Sequence, residues 1–253
     1  IAALALEANV SEPTVNRFCR SMDTRGFPDF KLHLAQSLAN GTPYVNRNVN
    51  EDDSVESYTG KIFESAMATL DHVRHSLDKS AINRAVDLLT QAKKIAFFGL
   101  GSSAAVAHDA MNKFFRFNVP VVYSDDIVLQ RMSCMNCSDG DVVVLISHTG
   151  RTKNLVELAQ LARENDAMVI ALTSAGTPLA REATLAITLD VPEDTDIYMP
   201  MVSRLAQLTV IDVLATGFTL RRGAKFRDNL KRVKEALKES RFDKQLLNLS
   251  DDR

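Results

Sequence analysis

The chain has little of what staples a protein together or carries it through a membrane. Its 253 residues hold three cysteines, Cys19, Cys134 and Cys137. An odd count without framework spacing excludes a disulfide scaffold and points to reduced thiols in a cytoplasm. Cys134-Met135-Asn136-Cys137 is a CxxC, but no second Cys/His pair lies nearby to complete a tetrahedral site, so no metal is expected. No apolar run is long enough to span a bilayer and none has the form of a signal peptide, so no membrane partner is expected. Neither sign of charge dominates: 30 Lys/Arg against 32 Asp/Glu leave a net charge of -2. That balance excludes a general attraction to nucleic acid, and any basic surface must be local. Internal repeats and low-complexity segments are also lacking.

What is present is ordinary globular material, 45% hydrophobic and 25% charged, enough for one large domain or two smaller ones. Ile1 already lies inside a helical pattern, which points to further residues upstream. Residues 1–40 read as short helices: 1–8, a second opened by Ser11 as N-cap with Pro13 in its first turn, and 30–38. Val15, Phe18, Cys19 and Met22 form one apolar stripe on the second. Residues 41–53, rich in Asn, Gly, Pro and acids, lose all periodicity and read as a linker. Two long helices follow, 54–77 and 80–92.

From Lys94 the pattern alternates. Strands are expected at 95–99, 119–123, 141–147, 168–173 and 184–190, with helices at 102–117, 126–136, 151–165 and 178–182 between them. This alternation signals an α/β fold, a doubly wound parallel five-stranded sheet. A long helix over 199–222 and a charged one over 224–240 complete the chain. Residues 221–244 hold ten Lys/Arg and four Asp/Glu. The expectation is a solvated amphipathic helix with one face on the core, and contact with DNA is the other reading.

Two loops carry the chemistry. Gly99-Leu100-Gly101-Ser102-Ser103 follows Ile95-Ala96-Phe97-Phe98, and Ser147-His148-Thr149-Gly150-Arg151-Thr152 follows Val142-Val143-Val144-Leu145-Ile146. Each is a buried strand, a loop of small residues and a helix start, so each aims backbone N–H groups and a helix dipole at an anion. Two such loops rich in hydroxyls suit a phosphate on a polyol. Simple N-capping explains one loop but explains two aligned loops poorly. Gly99-x-Gly101-x-x-Ala104 also fits a dinucleotide fingerprint, with Asp125 or Asp126 after the second strand as the ribose acid. A dinucleotide cradle needs neither Ser102 and Ser103 nor a second anion loop.

The two loops together resemble the sugar isomerase (SIS) domain, over roughly residues 80–220. The resemblance implies a phosphosugar site made by Gly101, Ser102, Ser103, Ser147, His148, Thr149, Gly150, Arg151 and Thr152. Ser147, Thr149, Thr152 and the amides of the following helix would hold the phosphate, and Ser103 the sugar or a phosphate oxygen. Arg151 divides evenly between ligand contact and solvent. His148 reads first as a loop histidine and second as a proton carrier. Arg204 and Gln207, one turn apart on the long helix, are even between a solvated face and the site. An isomerase needs a positioned base; Glu193, Asp194, Asp196 and His148 are the candidates, and none stands in a catalytic pattern. No catalytic residue and no cofactor is expected.

Helix, tight turn, helix over residues 2–18 has the spacing of a helix-turn-helix, whose second helix enters the major groove. Arg17 and Arg20 on its outer face suit guanine edges or phosphates; Ser11, Thr14, Asn16 and Lys31 would add contacts. An ordinary helical hairpin is the other reading, and four Lys/Arg against four Asp/Glu in residues 1–40 do not separate the two. The order helix-turn-helix, linker, SIS domain resembles the RpiR family of bacterial transcriptional regulators. Ser11–Arg20 is like its recognition helix, and Gly26–Leu32 like the element after it. Val10–Arg20, the run GLGSSAAVAHDA from Gly99 and SHTGRT from Ser147 are most like members that repress hexose-catabolism genes. The resemblance implies operator DNA and 2-keto-3-deoxy-6-phosphogluconate as partners, and a homodimer or tetramer. It divides the chain into a helix-turn-helix domain at 1–40, the linker, and a SIS domain with flanking helices at 54–253. A phosphosugar isomerase and a dinucleotide-dependent oxidoreductase remain as alternatives.

Overall fold

The computed structural model describes residues 1–22, 24–31, 34 and 48–238. The chain forms two compact units, residues 1–66 with 194–199, and residues 67–193 with 200–253.

In the first unit, α1 (Ala2–Glu7) and α2 (Glu12–Ser21) are joined by a turn in which Asn9 takes a left-handed φ of 52°. Asparagine tolerates that conformation better than most residues. Ser11 caps α2 by accepting from the Thr14 amide, and Pro13 sits in the first turn. A helical stretch at 27–31 follows. The small core is Ala5, Val15 and Cys19 with Ile1, Phe27 and Phe30 against it. Here the expected stripe is corrected. Val15 and Cys19 are buried, but Phe18 and Met22 are 53% and 56% exposed. Positions 15 and 19 lie on one line along the helix and 18 and 22 on the next; among the described residues the first line is buried, while Phe18 meets the edge of the Phe30 ring at 5.8 Å and stays half-exposed. The remainder of the helix expected at 30–38 and most of the linker lie outside the described residues. The long helix α3 (Val55–Ser76) begins where Ser54 accepts from the Ser57 amide at 3.2 Å.

The second unit is a three-layer α/β structure. After α4 (Lys79–Gln91) come β1 (Lys94–Gly99), α5 (Ser102–Phe114), β2 (Val121–Tyr123), α6 (Ile127–Met135), β3 (Asp141–Ile146), α7 (Lys153–Glu164), β4 (Met168–Thr173), α8 (Pro178–Glu182), β5 (Leu185–Thr188) and α9 (Val202–Ala236). All five strands are parallel in the order β2-β1-β3-β4-β5. Alternate side chains feed two separate cores. Ile95, Phe97, Val142, Val144 and Ile146 pack under α4, α5 and α9. Ala96, Phe98, Val143 and Leu145 pack with Leu155, Leu158 and Leu179 on the other face. Continuous apolar strands are therefore required, because both faces are dry.

Several boundaries differ from the sequence reading. β2 starts at Val121 rather than 119, since Pro120 has no N–H to extend the ladder. The helix from Ser102 ends at Phe114 and tightens into a 3-10 turn, Phe115–Phe117. The two C-terminal helices do part where the sequence placed their boundary: within Val202–Ala236 the helical backbone is broken at Gly223, where φ is 78° and ψ -163°. Beyond that glycine, Phe226 and Leu230 pack on the core, with Phe226 against the rings of Phe117 and Phe218 at 5.6 and 5.8 Å. The inner face of the basic helix is thus a packing face, as expected.

Candidate functional site

Strand order alone locates a crevice. β1 is followed in sequence by β2 on one side, while β3 lies on its other side, so the chain reverses its winding between β1 and β3. Ligands of doubly wound sheets sit outside the strand ends at such a reversal. Gly99 is paired in register with Ile146, so both hydroxyl-rich loops leave the sheet side by side there.

The first loop depends on two glycines. A Cβ on Gly99 would stand 2.6 Å from the Ser103 carbonyl, so only glycine lets α5 start directly over β1. Gly101, at φ 57°, is the N-cap of α5 and has no side chain to occupy the helix end. Within that first turn the Ser103 and Ala104 amides donate to the carbonyls of Leu100 and Gly101 at 3.2 and 3.1 Å. Ser103 is 7% exposed, and among the described residues neither its hydroxyl nor that of Ser102 makes a hydrogen bond.

The second loop is held from within and from below. Buried Ser147 accepts from the Gly150 amide at 3.1 Å, and Thr149 accepts from the Arg151 amide at 3.4 Å. Both hydroxyls keep an O–H to donate, and a phosphate oxygen is an acceptor. Thr152 caps α7 by position only, with no side-chain bond to the helix, so its hydroxyl is also uncommitted there. Gly150 has φ 58°, and a Cβ would fall on the Thr173 and Thr177 hydroxyls. Its carbonyl accepts from Leu179 at 3.1 Å, and the His148 carbonyl accepts from the Ser174 hydroxyl at 2.8 Å. Arg151 is exposed. All nine loop residues named from the sequence therefore lie in the two loops that leave the sheet side by side after β1 and β3.

The candidate bases are placed differently. His148 Nε2 bonds the Glu193 carbonyl at 3.1 Å, which fixes the ring as a loop fastener. The Glu193 carboxylate accepts from the amides of Met201, Val202 and Ser203 at 2.7, 2.9 and 3.1 Å, and from the Ser203 hydroxyl. It caps α9, whose own N-cap position offers no side-chain bond. Asp194 accepts from the Asp196 amide at 3.0 Å. Arg204 is exposed and Gln207 is buried, at 2% exposure. Sequence reasoning missed the capping role of Glu193, because a cap from ten residues upstream has no local signature. Burial pushes the Cys134 thiol up to about 12, and no cluster of three or more metal-ligating side chains occurs among the described residues.

In the first unit, Arg17 and Arg20 are exposed on α2. The Arg17 guanidinium reaches the Thr14 hydroxyl at 3.3 Å, and Thr14 pairs with Ser11 at 2.9 Å. These four side chains line one outer surface, and Lys31 is exposed. Asn16 is partly committed: its Oδ1 accepts from the Phe27 amide at 3.1 Å, so only its NH₂ remains for an outside partner.

Comparison with known proteins then decides the family. The SIS domain family matches residues 88–217, and the helix-turn-helix domain of the rpiR family matches residues 1–41. The chain belongs to the RpiR family of regulators. This RpiR-family chain is 58% identical over 242 residues to the HTH-type transcriptional regulator HexR of Pseudomonas aeruginosa, covering 96% of this chain and 85% of that protein. It is 38% identical over 236 residues to the bifunctional protein glk of Paraburkholderia xenovorans, and spans 37% of that protein's length. Among solved structures, the Vibrio vulnificus NanR protein complexed with ManNAc-6P superposes with a TM-score of 0.67 at 24% identity, over 95% of this chain and 86% of that one. That likeness shows the RpiR-type fold with its parallel SIS sheet. No described helix is long and apolar enough to cross a membrane. The RpiR-family chain is thus a HexR-like transcriptional regulator with a helix-turn-helix domain and a SIS domain.

Proposed function

We propose that this regulator represses genes of hexose catabolism and is released from its operator by a phosphosugar, 2-keto-3-deoxy-6-phosphogluconate. The observation that carries the reading is the pair of loops at the β1–β3 reversal. Hydroxyls of Ser102, Ser103, Ser147, Thr149 and Thr152 keep donor capacity there, beside two helix N-termini that favour an anion. The identity to HexR and the phosphosugar named with NanR agree with it. Binding without turnover is the favoured reading, since His148 Nε2 and the Glu193 carboxylate, two candidate bases, are committed to holding the fold. Operator contacts come from Ser11, Thr14, Arg17, Arg20 and Lys31, with the Asn16 NH₂.

A homodimer, or a pair of dimers, would present two helix-turn-helix units to a palindromic operator. The effector acts only if it binds the operator-competent and released states with different affinity. Calorimetry with 2-keto-3-deoxy-6-phosphogluconate, 6-phosphogluconate, glucose 6-phosphate, fructose 6-phosphate and NAD tests the reading. Micromolar binding of one acidic phosphosugar, with the sugar recovered intact, is expected. Conversion of the sugar would make the protein an isomerase, and binding of NAD alone would remove the phosphosugar site.

A further inference from the structure

α6 carries a buried side chain that neither capping nor core packing requires. Gln130 is 0% exposed. Its Nε2 donates to the carbonyl of Gly99 at 3.3 Å and to the carbonyl of Ser124 at 2.7 Å. Gly99 is the last residue of β1 and the first of the GLGSS loop, and Ser124 lies directly after β2. One amide group therefore joins the ends of two adjacent strands from a third element. The other end of the side chain is different: Oε1 is buried and accepts from nothing among the described residues. Buried polar atoms nearly always find partners, and one left alone among protein groups marks strain, a bound water or a partner that arrives later. Reversing the amide would set an oxygen against two carbonyl oxygens, so the orphan is the acceptor in this orientation.

α6 itself is held rigidly for this role. Asp126 caps it, accepting from the amides of Val128 and Leu129 at 2.8 and 2.9 Å. The turn before it is closed by Ser124 Oγ accepting from the Asp126 amide at 3.1 Å. The Gln130 amide thus stands on a fixed support beneath the start of the first phosphosugar loop.

We propose that Gln130 is a positioning residue of the effector site: it sets the Gly99–Ser103 loop for the phosphosugar, and its orphaned Oε1 accepts a donor from that loop when effector is bound. The inference rests on the phosphosugar reading of the two loops. Gln130 does not contact the effector itself; it acts from α6 through the backbone of the loop.

Gln130→Met keeps the length and bulk of the side chain and removes both polar ends. The expected result is about a tenfold loss of affinity for 2-keto-3-deoxy-6-phosphogluconate by calorimetry, with operator affinity in the absence of effector unchanged. Unchanged effector affinity, or a loss of operator binding in the same proportion, overturns the proposal. Wild-type protein that binds no phosphosugar at all would instead overturn the underlying site, so the two failures are distinct. Hydrogen–deuterium exchange on the unmodified chain covers the case of a variant that does not fold. Peptides spanning 99–104 and 124–130 are expected to gain protection together when effector is added. Protection confined to the first peptide means that Gln130 does not couple them, and the inference falls.

Discussion

At the scale of single residues, the decisive features are hydroxyls and glycines rather than charges. Ser147 is buried and already accepts from Gly150, so its free hydrogen is the one polar group it offers outward. Ser147→Ala should cost the loop that internal bond and the ligand a donor, weakening effector binding about tenfold, a loss of roughly 1.4 kcal/mol. Calorimetry would reveal it, while operator binding without effector stays at the wild-type level. Gly150→Ala is harsher. The residue has φ 58° and no room beside Thr173 and Thr177, so the substitution should cost at least 1–3 kcal/mol of stability. Thermal melting checks this, and a variant as stable as wild type would mean the loop relaxes freely. The cysteines give a chemical test: Cys134 is fully buried, its thiol pushed up to about 12 by burial, and Cys137 is half-buried. Alkylation of the native chain at pH 8 should modify Cys137 well before Cys134. Equal rates would place Cys134 at the surface.

Most of this site could be read from residue order, because a loop of small residues after a buried strand has few geometric options. Gly101, Ser103, Ser147 and Thr152 needed only their neighbours to be placed. What could not be read was the use of side chains across long separations. Glu193 looks like a free acid in sequence and is a helix cap in space; His148 reads first as a loop histidine, but nothing local tells that its ring reaches the Glu193 carbonyl. Gln130 resembles any helix polar residue, and nothing local tells that it reaches Gly99. Phe18 and Met22 misled for another reason: period alone does not say how wide a face the neighbours cover.

At the scale of elements, α9 depends on its remote cap. Three amides and one hydroxyl converge on Glu193, and its negative charge stands at the positive end of a long helix. Glu193→Ala should therefore lower stability by about 1–3 kcal/mol without creating or removing any catalytic activity. Chemical denaturation measures the first. An undiminished midpoint would show that the helix start is satisfied elsewhere. The start of α3 has its own pH signature. The Asp53 carboxyl is lowered to about 2, chiefly by its bond to Lys61 and then by the Asn50 amide. A depressed folded value means that its stabilising effect is full above the ordinary carboxylate range and fades as pH falls toward 2. Circular dichroism of wild type and Asp53→Asn should differ at pH 6 and converge at pH 2. A constant difference would assign the effect to something other than ionisation.

At the scale of the whole molecule, the proposed regulation links two places with different chemistry: a helical unit with arginines outward, and a parallel sheet with hydroxyls at its reversal point. Linkage between them is reciprocal, so effector that weakens operator binding must itself bind less tightly to the DNA complex. An ordinary coupling of about 1–3 kcal/mol corresponds to roughly a 5- to 150-fold change in operator affinity. Fluorescence anisotropy of labelled operator DNA, titrated with protein at zero and saturating 2-keto-3-deoxy-6-phosphogluconate, reads that coupling directly. Weaker operator binding by a factor in that range is expected, with Ser147→Ala needing about tenfold more effector for the same change. Identical isotherms with and without an effector that calorimetry shows to be bound would contradict it.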